Sequence, residues 1–123
     1  MARYLISFDD GAMTFPEEEL SAVADAAHSV MHEAKNAGVW VFGGGLTALE
    51  EAIVVDTDGT VTDGTFSENR QYLGGFSIVD VPSREEAVKW AAKFAVACRC
   101  AQELREVLPD PLSDPRAPPT LPA

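Results

Sequence analysis

The run LGGFSIVDVPSREEAVKW, residues 73–90, joins a strand, a stop and a helix start. Phe76 and Ile78 share one parity, and Ser77, Val79 and Val81 share the other. A period of two in β-forming residues predicts a strand, here with apolar side chains on both faces. Pro82 ends it, because proline has no N–H to give a ladder. Ser83 followed by Glu86 has the spacing of a capping box, so a helix starts there. Ala87, Val88, Ala91, Phe94, Ala95 and Cys98 continue it as an apolar stripe, with Glu85 and Lys89 spaced for an ion pair on the wet side.

The same grammar extends outward in both directions. In ARYLISF, Tyr4, Ile6 and Phe8 alternate with Arg3, Leu5 and Ser7, which predicts a first strand. Thr14 and Glu17 form a second capping-box pattern with Pro16 in the first turn. The stripe Leu20, Val23, Ala24, Ala27, Val30, Met31 and Ala34 then predicts a helix that stops at Asn36 and Gly38. VWVFGGG from Val39 reads as a short strand, EAIVVDTDGTVTD as a hairpin turning at Asp58-Gly59, and QELREVL as a last strand.

Without the hairpin the order is βαββαβ. Right-handed crossovers place both helices on one face of an antiparallel sheet. The fold class is therefore α+β, ferredoxin-like with an inserted β-hairpin. The helix-free face also carries apolar residues, more than a monomer exposes comfortably. A homodimer with sheets face to face, leaving cavities between or beside them, resolves that conflict.

The 123 residues suit one core, and 46% hydrophobic with 24% charged is an ordinary globular balance. A formal charge of -11 would repel phosphate backbones and anionic lipid, which speaks against nucleic acid and membranes as partners. No apolar run approaches the roughly 20 residues of a spanning helix, and the N-terminus reads as a strand rather than a signal peptide. Cys98 and Cys100 are too close for an unstrained disulfide and too few for a metal site, so two free thiols in a reducing cytoplasm are expected. Six of the eight prolines fall in residues 109–122. The domain is thus expected over residues 1–107. Residues 108–123 form a Pro-rich tail outside the sheet and helices, disordered or draped over the surface or a neighbouring subunit.

Several residues are candidates for chemistry. Asp63, in a polar loop after the hairpin, would serve as a general base if burial raised its pKa, or would simply cap its Asp-Gly turn. Glu68 either faces a pocket or pairs at the surface with Arg70 or Arg3. His28 is the candidate proton shuttle, and its alternative is an exposed helix position. His28 and His32 lack a third ligand of fitting spacing, so no metal is expected, nor any other cofactor. Gly43-Gly44-Gly45 lacks the lysine and helix start of a phosphate loop. Phe66, Trp40, Phe76, Gly64 and Arg70 are candidate ligand contacts, although such aromatics more often serve a core or an interface. Burial of Phe66 would anchor the loop and present Asp63 and Glu68 at the mouth of a cleft bordered by the first helix.

At VTDGTFSENRQYLGGFSIVDV, residues 61–81, the sequence resembles the YCII-related proteins, in the branch named for a DGPF motif. Asp63, Gly64, Phe66, Glu68, Leu73, Gly74, Gly75 and Phe76 stand in the motif's places, while Thr65 replaces its proline and Asn69-Arg70-Gln71 replaces a Lys-Glu pair. The resemblance implies a dimeric α+β barrel of bacterial type. It also implies an active-site histidine in the wider family, which alignment on Gly38 places at Ala27, one position before His28. Genes of the branch commonly neighbour extracytoplasmic-function sigma factors, which implies a sigma-factor-related partner. Two functions stay open. One is a cofactor-independent acid–base enzyme of lyase, isomerase or dehalogenase type, acting on a small polar or aromatic metabolite. The other is a non-catalytic ligand-binding or regulatory module, with the tail as a possible recruiting peptide.

Overall fold

The computed structural model describes residues 1–66 and 71–114. Six strands and two helices follow the expected order: β1 Ala2–Asp9, α1 Leu20–Asn36, β2 Trp40–Gly45, β3 Ile53–Val55, β4 Val61–Asp63, β5 Leu73–Val81, α2 Arg84–Cys98 and β6 Glu103–Glu106. The main sheet runs β2-β5-β1-β6 with antiparallel pairings, and β3 and β4 form a separate antiparallel two-stranded sheet. This is the ferredoxin-like α+β arrangement with an inserted hairpin.

The alternation read along β1 and β5 sets the two faces. Tyr4 lies opposite Val79 and Ile6 opposite Ser77, whereas Leu5 lies opposite Ile78 and Ser7 opposite Phe76. Tyr4, Ile6, Val79 and Val81 pack into one core with Val30 of α1 and with Ala87, Phe94 and Ala97 of α2. Both helices therefore cover the same face. Ile6, Val23, Val79 and Val81 are fully buried, each worth about 1.5–3 kcal/mol of transfer free energy. The other face shows Leu5, Phe76 and Ile78 half-buried and Phe42 62% exposed. The Phe42 and Phe76 rings there lie 5.8 Å apart.

The helix boundaries separate two similar motifs. Ser83 is a true N-cap: its Oγ accepts the Glu86 N–H at 3.2 Å. The Thr14 pattern does not cap. Pro16 stays extended, residues Glu17–Glu19 form a 3-10 turn, and α1 begins only at Leu20 without a side-chain cap. The acidic residues gathered there favour this helix end electrostatically instead. Lys89 pairs with Glu86 at 3.2 Å, three residues away, and not with Glu85. α1 stops where expected, with Gly38 at φ +75°.

Two glycines are demanded by contact. A β-carbon at Gly43 would stand 2.5 Å from the Phe76 carbonyl oxygen and 2.9 Å from the Trp40 ring. One at Gly75 would stand 2.5 Å from Cζ of Phe8. Gly74 sits opposite the irregularity between Phe8 and Asp9, where the ladder skips a residue as in a β-bulge.

The first part of the Pro-rich segment is placed against the sheet. The Val107 N–H donates to the Arg3 carbonyl at 2.8 Å, the Asp114 N–H donates to the Asp110 carbonyl at 2.9 Å, and the Asp114 carboxylate pairs with the Arg3 guanidinium. As far as Asp114, the tail is draped along the surface rather than detached.

Candidate functional site

Where α1 leaves the sheet, a cleft of about 280 Å³ opens between them. Its α1 wall is Leu20, Val23, Ala24, Ala27 and Met31, on the stripe that also reaches the core. Phe8 of β1, Phe76 and Ser77 of β5, and Gly44 and Gly45 of β2 supply the sheet side. Phe94, Cys98 and Gln102 close the far end from α2 and the residues after it, and Met13 contributes from the loop before α1. Gly75 matters here indirectly, because its bare α-carbon gives the Phe8 ring its place in this wall.

The chemistry of that lining is mostly hydrocarbon. Ser77, Cys98 and Gln102 supply the polar side-chain atoms, and no carboxylate, imidazole, lysine or arginine lines it among the described residues. Cys98 is buried. Burial first, and the neighbouring Cys100 charge second, push its thiol above the ordinary value, so it stays protonated and a poor nucleophile near neutral pH. Burial likewise raises the Cys100 thiol, although a hydrogen bond from Gln102 acts against it.

The residues singled out from sequence are distributed otherwise. Phe76 borders the cleft through its place in β5, while its ring lies on the helix-free face beside Phe42. Ala27 lines the cleft too, while His28 is exposed on the neighbouring face of α1. One helical step is a rotation of about 100°, which is enough to separate them. Asp63 ends β4 and is exposed. Gly64 takes φ +99° and donates its N–H to the Ala52 carbonyl at 2.8 Å, closing the hairpin's base. Phe66 is 72% exposed, so burial within this chain does not anchor the loop. Trp40 packs against the core, its ring 6.2 Å from that of Phe94. Glu68 and Arg70 lie outside the described residues.

Sequence reasoning missed Ser77, Gln102 and Cys98 as cleft residues. A signal for Ser77 was present, since it is a hydroxyl on the otherwise apolar helix-facing parity of β5. Gln102 gave none, because its place depends on how the chain leaves α2.

Fold and cleft together define a small α+β domain with a compact, largely apolar recess under its first helix. The YCII-related domain model matches residues 2–109, and the chain belongs to that family. Among curated proteins, none matches the sequence. No helix among the described residues is long and apolar enough to cross a membrane.

Proposed function

We propose that this protein binds a small, mainly apolar molecule in the cleft under α1 and acts as a binding or regulatory module rather than an acid–base enzyme. The observation that carries this reading is the lining itself. Ala27 stands where a proton-transferring histidine would be expected, and the described walls offer hydrocarbon, a hydroxyl, an amide and a protonated thiol. General acid–base catalysis needs a titrating group within hydrogen-bond reach of the reacting atom. Asp63 and His28, the candidates for that work, are both exposed and away from these walls. A recess of about 280 Å³ lies just below the roughly 300–1,000 Å³ range of small-molecule sites, which fits a compact ligand.

The working unit in this reading is a homodimer. Leu5, Phe42, Phe76 and Ile78 form the apolar part of the helix-free face, and a second copy is the occupant that would cover it symmetrically.

Calorimetric titration with toluene and phenol tests the binding claim. Both should bind the wild type, and Ala27→Phe, which fills the recess, should abolish binding while the protein remains folded by circular dichroism. Binding unaffected by Ala27→Phe would place the ligand elsewhere and defeat the proposal.

A further inference from the structure

The cleft is not uniformly greasy, since Ser77, Cys98 and Gln102 also line it. Ser77 is 7% exposed on the helix-facing side of β5, among Ile6, Val79 and Val81, where a valine would suit packing alone. Its hydroxyl makes no hydrogen bond among the described residues, yet none of their buried side-chain oxygens or nitrogens is sealed off without a partner. The hydroxyl must therefore keep access to the cleft it lines. A hydroxyl that opens into an otherwise apolar recess is available to hydrogen-bond a ligand's polar group. Gln102 lines the same recess. Its amide nitrogen is committed to Cys100, donating to the carbonyl at 3.4 Å and to Sγ at 3.5 Å. That leaves its carbonyl oxygen as an acceptor.

We infer that the ligand is a neutral compound with a compact apolar body and one hydrogen-bond donor, a phenol or alcohol by class, recognised by the Ser77 hydroxyl and the Gln102 carbonyl oxygen. The inference rests on the cleft being the binding site. Neutrality follows from the walls. No cationic side chain among the described lining residues would compensate a carboxylate, and a protein of formal charge -11 repels anions before they arrive. The donor follows from what the site presents, since the Gln102 oxygen can only accept while the serine hydroxyl accepts or donates. The apolar body fits the walls of Phe8, Ala27 and Met31.

Phenol and toluene have nearly the same shape and differ in one donor, so their comparison isolates the claim. By calorimetry, wild-type protein should bind phenol about tenfold more tightly than toluene. Benzoate should bind more weakly than phenol. In Ser77→Ala and Gln102→Leu the preference for phenol should shrink towards parity, with toluene affinity kept as the proof that the recess is intact. Equal affinity for phenol and toluene in the wild type would overturn the inference while leaving the cleft reading standing. So would a preference that survives both substitutions. Failure of both probes to bind the wild type would overturn the cleft reading and this inference together.

Discussion

The Phe8 ring occupies the space that a side chain at residue 75 would need: a β-carbon on Gly75 would sit 2.5 Å from Cζ of Phe8. The obstacle is the far end of a side chain, so the ring can swing aside. Gly75→Ala should therefore cost only about 1 kcal/mol in urea denaturation but should weaken phenol binding, because the displaced ring enters the cleft. Gly43→Ala meets the Phe76 carbonyl oxygen and the Ser77 α-carbon, which are backbone and cannot move cheaply. Its expected cost is larger, about 3 kcal/mol. Equal effects of the two on stability would contradict this account of the β2-β5 edge.

The two cap patterns predict opposite results from the same substitution. Ser83→Ala removes a made hydrogen bond to the Glu86 N–H and should cost about 1 kcal/mol. Thr14→Ala removes no cap, since Pro16 and the 3-10 turn separate Thr14 from α1. It should fall within about 0.5 kcal/mol of wild type. Thermal unfolding of the pair checks this.

Alkaline pH should destabilise the protein through its thiols. Cys98 and Cys100 have folded pKa values raised above the ordinary 9.0, for Cys98 through burial and then the charge of its partner. The folded state thus holds those protons more tightly than the unfolded chain does. Their contribution is full below pH 9.0 and is lost as pH climbs from there through the raised folded values. The Tyr4 phenol, raised by burial and then by its 3.1 Å hydrogen bond to Glu106, adds a loss of the same sign above 10.0. Replacing both cysteines with alanine should flatten the stability profile between these two values. An unchanged slope in denaturant titrations across that range would refute the assignment.

The exposed ring of Phe42 gives a test of the homodimer. Wild-type protein should sediment at twice its 13.2 kDa chain mass, and Phe42→Asp should sediment at the single-chain value with its circular dichroism unchanged. Its 62% exposure means that the substitution disturbs little inside one chain. A wild type that stays single at high concentration would remove the homodimer from the proposal.

The fold was readable because a few residues carry strong local physics. The parity of Phe76 and Ile78 against Val79 and Val81 set the strand faces, Pro82 and Ser83 set a boundary, and right-handed crossovers did the rest. The failures also have local causes. Thr14 had the right spacing from Glu17, but Pro16 held the chain extended there. Lys89 had two carboxylates within reach, and sequence spacing does not choose between Glu85 and Glu86. The cleft was harder to read, since its walls come from β1, α1, β2, β5 and the segment after α2. Periodicity alone puts Ala27 on the apolar stripe and His28 off it, but it does not say which stripe residues meet an open recess and which a filled core. Phe66 looked like an anchor by its size alone, and exposure depends on what stands opposite.

Methyl-resolved NMR during a phenol titration tests the central claim most directly, because it reports where the ligand sits without assuming any chemistry. Saturable shifts should gather at Met13, Val23, Ala24, Ala27 and Met31, with the hairpin methyls of Ile53 and Val55 unmoved. Shifts confined to the hairpin, or none at saturating phenol, would contradict a binding cleft under the first helix.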